Sequence, residues 1–92
     1  MRVEISKAAQ KDIRKLPAPI VDKLRLWVFS VETIGLESTR RQSGKGLHDE
    51  PLKGKRSGQR SVRLSKSYRA IYEIRRNDIE FVSVEEVNKH DY

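Results

Sequence analysis

A chain of 92 residues has room for one modest core and not for two, so a single domain spanning 1–92 is expected. The absence of cysteine excludes disulfides and thiolate metal sites, two histidines alone do not make a structural zinc centre, and nothing in the composition calls for a cofactor. No apolar run approaches the ~20 residues that a membrane helix needs, and Met1-Arg2-Val3-Glu4 leads into charged sequence without the apolar stretch of a signal peptide, so a cytoplasmic location is expected.

The formal net charge of +7 is unevenly distributed: Arg40 to Arg76 holds twelve Lys/Arg against three Asp/Glu, and the remainder carries eight against ten. A positive field concentrated in one segment points to a polyanion or an acidic protein as partner.

In chain order, Arg2 to Ile5 alternates polar and apolar residues and reads as a short strand. Ser6 suits an N-cap, and Ala9, Ile13 and Leu16 then recur at helical spacing. Leu16-Pro17-Ala18-Pro19 ends that helix and opens a second, whose stripe is Ile20, Leu24, Trp27, Val28, Val31 and Ile34, broadened by Leu26 and Phe29 and closed by Gly35. From Glu37 to Gly58 apolar residues nearly vanish, which predicts a long basic loop.

Strand patterns return at Ser61 to Ser65, where Val62 and Leu64 face a core and Ser61 and Arg63 face away. Tyr68 to Arg75 places Ala70, Tyr72 and Ile74 on one face and Arg69, Ile71, Glu73 and Arg75 on the other. A turn at Arg76-Asn77-Asp78 leads into Ile79 to Val87, where the alternation slips between Phe81 and Val82, consistent with either burial on both faces or a bulge. The expected fold is therefore α+β, with an N-terminal strand and a helical hairpin packed on one face of a mainly antiparallel sheet. Arg63 and Arg69 fall on the opposite face, beside the end of the last strand. After Val87 the chain reads Asn88-Lys89-His90-Asp91-Tyr92, a cluster whose ordinary pKa values run from about 4 to about 10 and which can supply both a proton donor and an acceptor.

Two segments carry a resemblance. Gly46-Leu47-His48-Asp49-Glu50-Pro51-Leu52-Lys53-Gly54 resembles the Leu-His-Pro-Leu-Lys-Gly stretch of HigB-like toxins, with two residues inserted after the histidine. Ser61 to Tyr72 is similar to the central hairpin of the same superfamily, including the Tyr68-Arg69 pair. In their order and spacing these segments resemble the RelE/ParE superfamily of bacterial toxins from toxin-antitoxin pairs. The terminal order differs, since HigB proteins end Asp-Tyr-His and this chain ends His90-Asp91-Tyr92.

The resemblance implies a ribosome-dependent endoribonuclease that cleaves mRNA in the decoding site without a metal, restrained by a cognate antitoxin. It assigns Arg69 to the scissile phosphate with Lys53 assisting, and His48, His90, Asp91 and Tyr92 to acid-base and stacking roles. Lys55, Arg56, Arg60, Arg63, Lys66 and Lys89 are expected to hold RNA phosphates collectively, which sets affinity without reading sequence. Arg69 could instead form a surface ion pair, with Glu73 or Glu80 as candidates. Two other functions suit the same fold: a ParE-like poison of DNA gyrase, which needs no acid-base cluster, and a non-catalytic RNA-binding module.

Overall fold

The computed structural model describes residues 2–42, 49–76 and 78–86. Strand β1 (Arg2–Ile5) ends at Ser6, whose extended backbone and side chain begin helix α1 (Lys7–Ile13): Ser6 Oγ accepts from the Ala9 amide at 3.1 Å. Helix α2 (Ala18–Ile34) follows Pro17, with Pro19 in its first turn where a missing N–H costs nothing. Gly35 closes it at φ 88, a left-handed conformation that side chains resist, and donates its N–H to Val31 O at 2.9 Å. Helix α3 (Leu36–Gln42) comes next, then β2 (Asp49–Pro51), one 3₁₀ turn (Gly54–Arg56), β3 (Gln59–Arg63), β4 (Tyr68–Arg75) and β5 (Asp78–Glu86).

The five strands form one sheet in the order β1-β5-β4-β3-β2. The last three are the antiparallel meander that their alternation predicts, and β2 adds antiparallel at one edge. At the other edge β5 returns parallel to β1, the two strands being separated in the chain by the three helices and the rest of the sheet. Helices cover one face. Leu24, Trp27 and Val31 of α2 and Ala9 of α1 pack with Val62, Leu64, Ala70, Tyr72, Ile79, Phe81 and Val84 of the sheet. At the centre Trp27 meets Tyr72 and Phe81 with ring centroids 5.2 and 5.4 Å apart, in the tilted and edge-on arrangements that aromatic quadrupoles favour.

Two expectations need correction. The segment expected as a loop from Glu37 to Gly58 contains α3, β2 and the 3₁₀ turn. Among the described side chains of α3, Leu36 and Thr39 are the buried ones, a pattern too sparse to register as amphipathic; Thr39 Oγ1 donates to Gly35 O at 2.8 Å and meets Ser30 Oγ at 2.7 Å, fixing α3 against α2. Leu26 and Phe29 do not widen the buried stripe of α2, and Ile34 does not extend it, since they are 68%, 67% and 44% exposed. Ser61 and Ile71 keep the face that alternation gives them, away from the helices, and are buried on it.

The slip in the last strand is a bulge. Tyr72 pairs with Phe81 but Ile71 with Ser83, so Val82 is an extra residue without a partner on β4. The carbonyls on either side of this irregularity are held by the start of α1: Ser6 N donates to Phe81 O at 3.0 Å and Ser6 Oγ to Val82 O at 3.2 Å. β1 pairs with β5 only as far as Phe81, and beyond it Asp12 Oδ2 accepts from the Val84 amide at 2.9 Å, taking the place of a neighbouring strand.

Asp12→Ala removes the acceptor for that part-buried amide, so the variant is expected to lose about 1–3 kcal/mol of stability. Urea denaturation measures it. A loss below about 0.5 kcal/mol, typical of an unremarkable surface substitution, would mean that Asp12 does not hold the strand.

Candidate nucleic-acid interface

Successive pairings lay out the face of the sheet that the helices leave open. Arg63 of β3 lies opposite Arg69 of β4, and Arg69 opposite Glu85 of β5. Two arginines directly across a ladder repel. Their separation is helped by other partners: Arg63 Nη1 donates to Lys66 O at 3.4 Å, while Arg69 donates through Nε and Nη2 to Glu85 Oε2 at 3.2 and 3.0 Å. The 3₁₀ turn brings a third arginine, because Arg56 closes a two-pronged fork on the same carboxylate, Nη2 to Oε1 at 2.6 Å and Nη1 to Oε2 at 3.0 Å.

Beside this cluster a cleft of about 670 Å³ opens, lined by Arg63, Lys66 and Arg69, with Lys23 reaching it from α2. Ser61, Leu64 and Ser65 also line it, and Glu50 is the carboxylate among its described lining residues. Lys66 is presented by the β3–β4 turn, where Ser65 Oγ accepts from the amides of Ser67 and Tyr68 at 3.1 and 3.2 Å. Farther along the same open face the charges balance one another: Arg75 bridges Glu73 and Glu80 at 2.8 and 3.0 Å, and Gln59 donates to Glu73 at 3.1 Å. The Arg75 and Gln59 contacts hold the Glu73 carboxyl below its ordinary range. The excess positive charge thus belongs to the end of the face that carries Arg56, Arg63, Lys66 and Arg69.

Of the residues expected to meet here, Arg69, Arg63 and Lys66 share the cleft and Arg56 joins through Glu85. Lys53 and Lys55 are exposed at the 3₁₀ turn that positions Arg56. His48, Lys89, His90, Asp91 and Tyr92 lie outside the described residues. Arg69 does pair with a carboxylate, as its alternative reading allowed, but with Glu85 and not with Glu73 or Glu80.

Arg60 corrects an expectation. Grouped with the phosphate-binding cations, it turns to the helix-covered side and donates Nε to Asp49 Oδ1 at 2.7 Å. The Asp49 side chain is only 5% exposed and also accepts from the Tyr72 hydroxyl, with Arg40 Nε at 3.7 Å. Burial works against the Arg60 charge, and the hydrogen bond and charge of Asp49 outweigh it. Burial, reinforced by Asp49, pushes the Tyr72 phenol far up, so it remains a donor. A signal for this was present, since Arg60 shares the alternation of Val62 and Leu64. Lys23, Glu50 and Glu85 were not foreseen either.

Arg56 first, and then Arg69, hold the Glu85 carboxyl below 4.5 against the opposing effect of partial burial. A depressed carboxyl stabilises the fold above its unfolded pKa, and that contribution is lost as pH falls through the folded value. Carboxyl-carbon NMR is therefore expected to give Glu85 a midpoint below 4.5, returning toward that value in Arg56→Ala. A midpoint at or above 4.5 in the unaltered protein would contradict the arrangement.

The fold recurs in solved proteins. The YoeB/ParE toxin from Agrobacterium tumefaciens superposes with a TM-score of 0.70 at 18% identity, over 96% of this chain and 100% of that one. The RelBE2 toxin-antitoxin complex from Mycobacterium tuberculosis gives a TM-score of 0.66 at 22% identity, over 94% and 96%. YafQ from E. coli strain BL21(DE3) gives 0.67 at 19%, over 94% and 93%. At these identities the likeness is one of fold. No curated protein matches the chain. The family model for the ParE toxin of the type II toxin-antitoxin system parDE matches residues 3–88, nearly the whole chain, which therefore belongs to that toxin family within the RelE/ParE superfamily.

Proposed function

We propose that this toxin is a ribosome-dependent endoribonuclease that cleaves mRNA in the decoding site by metal-independent acid-base chemistry. The observation that supports it is the convergence of Lys23, Arg63, Lys66 and Arg69 on one cleft, which joins the basic end of the open sheet face to α2. Internal cleavage of RNA needs a base for the 2′-hydroxyl, positive charge for the five-coordinate phosphorus, and an acid for the departing 5′-oxygen. Arg69 suits the second role, because its planar fork donates two hydrogen bonds and keeps its charge. Lys53 assists from the neighbouring turn, and Arg63, Lys66, Lys55, Arg56 and Lys89 hold flanking phosphates. The proton-transfer roles fall to His48, His90 and Asp91, with Tyr92 donating its proton or stacking on an unpaired base.

A cognate antitoxin completes the proposal, in keeping with the RelBE2 relative, which was solved as a toxin-antitoxin complex. Between α1 and α2 an apolar groove of about 540 Å³ is lined by Ile13, Val21, Leu24, Val28 and exposed Phe29, with Arg14 and Arg25 against one carboxylate, Glu32, among its described charged residues. An amphipathic segment with acidic flanks fits that chemistry.

A second reading, a ParE-like poison of DNA gyrase, is favoured by the family match and by the engagement of Arg69 with a carboxylate. The two separate in one assay. With intact ribosomes the protein is expected to cut mRNA and leave 2′,3′-cyclic phosphate and 5′-hydroxyl ends. Arg69→Ala should slow single-turnover cleavage by about 10²-fold or more, and removal of His90-Asp91-Tyr92 by at least about 10²-fold, both with little loss of ribosome binding. Arrest of gyrase supercoiling without any mRNA cleavage would establish the second reading in place of the first.

A further inference from the structure

The cluster of Arg56, Arg69 and Glu85 has two guanidinium groups for one carboxylate, all on the open face. Four N–H···O contacts converge on Glu85, and its Oε2 is shared by both arginines. That shared point is where the two cations best stabilise an anion. Carboxylates and phosphates present similar oxygen pairs to an arginine fork, so the donor array that holds Glu85 also matches a phosphodiester.

We propose that Glu85 is the resident occupant of an Arg56–Arg69 anion site, a carboxylate that a phosphodiester strand must displace before the basic end of the sheet engages it. This rests on the reading of that end as a polyanion surface and adds how the surface is restrained.

Two other arginine–carboxylate clusters among the described residues set this one apart. Asp49 is sealed beneath Arg60 and Tyr72 at 5% exposure, where no solute can exchange with it. Arg75 serves two carboxylates and leaves the cluster negative, which repels an incoming phosphate. At Glu85 the side chains are accessible, Arg56 at 45%, Arg69 at 31% and Glu85 at 26%, and the balance is positive. Ion pairs this exposed hold weakly, so exchange is open to a competing anion. A lone phosphate gains little over the tethered carboxylate. A nucleic-acid strand gains more, because Arg63 and Lys66 take its neighbouring phosphates and release their counterions at the same time. Glu85 thereby discriminates between single anions and a phosphodiester chain.

The test compares binding of a short fluorescein-labelled single-stranded RNA to the wild type, Glu85→Gln and Glu80→Gln. Glu80→Gln removes one negative charge from the same face, but from the Arg75 cluster, and controls for net charge. Glu85→Gln is expected to bind about tenfold more tightly than wild type, the equivalent of one charge-assisted hydrogen-bonded pair. Glu80→Gln should change affinity by less than about twofold, as a screened surface charge does. Adding Arg69→Ala to Glu85→Gln should abolish the gain. Binding by Glu85→Gln no tighter than by Glu80→Gln overturns the proposal, and weaker binding than wild type would show that Glu85 orients the arginines instead. In the wild type, saturating RNA should return the Glu85 carboxyl midpoint to the ordinary range, and an unmoved midpoint also overturns it. Tighter binding by Glu85→Gln without ribosome-dependent cleavage by either protein supports the occupied anion site and removes the nuclease; cleavage by wild type without tighter binding does the reverse.

Discussion

The arrangement of the open face depends on one extra residue in β5. With Val82 unpaired, the ladder between β4 and β5 shifts by one, and Glu85 comes to lie opposite Arg69. An unbroken ladder continued from the Tyr72 and Phe81 pair would set Val84 there and turn Glu85 toward the helices. Because strand side chains alternate, that shift exchanges the two faces of everything beyond it. Val84 would lose its place in the core, and a carboxylate would enter it. The bulge therefore satisfies the core and the charged face together, and Ser6 and Asp12 hold it in place from α1. The short first helix, which buries only Ala9, is thus tied to the site through the strand it clamps.

Two carboxylates organise the cations in different ways. Asp49 lies almost wholly out of solvent and gathers Arg60, Arg40 and the Tyr72 hydroxyl, linking β2, β3, β4 and α3 at the edge of the core. A buried charge of this kind is costly to expose or to leave unpaired, so it secures an edge strand of only three residues that has little apolar surface of its own. Glu85 stands in solvent reach and gathers Arg56 and Arg69, where the same chemistry is weak and reversible. Burial decides which arginines are structural and which remain available to a ligand.

Much of this was legible in the sequence. The Ser6 cap, the proline break, the Trp27 stripe, Gly35 and the meander follow from capping chemistry and from periods of 3.6 and 2 residues, all of them local signals. α3 was missed because Leu36 and Thr39 are its buried residues among the described side chains, too few to show a period, and β2 because a three-residue strand has no period to read. The faces of Ser61 and Ile71 were assigned correctly by alternation, but their burial depends on neighbours that no periodicity reports. At the site, Arg69, Arg63 and Lys66 were found from charge and alternation. Glu85 was not, since its partner follows from whether the slip at Val82 is a bulge or a doubly buried strand, which the residues themselves leave open. Arg60 was misassigned by counting it among the basic residues and not by its parity with Val62 and Leu64.

NMR nuclear Overhauser effects between backbone protons test the register across β4 and β5, on which the charged face depends, without altering the protein. The structure predicts cross-strand contacts from Arg69 to Glu85 and from Ile71 to Ser83, with Tyr72 opposite Phe81 and Val82 lacking an opposed residue. Contacts from Arg69 to Val84 and from Ile71 to Val82, continuing the pairing of Tyr72 with Phe81 without a break, would contradict it and dissolve the arginine cluster with it.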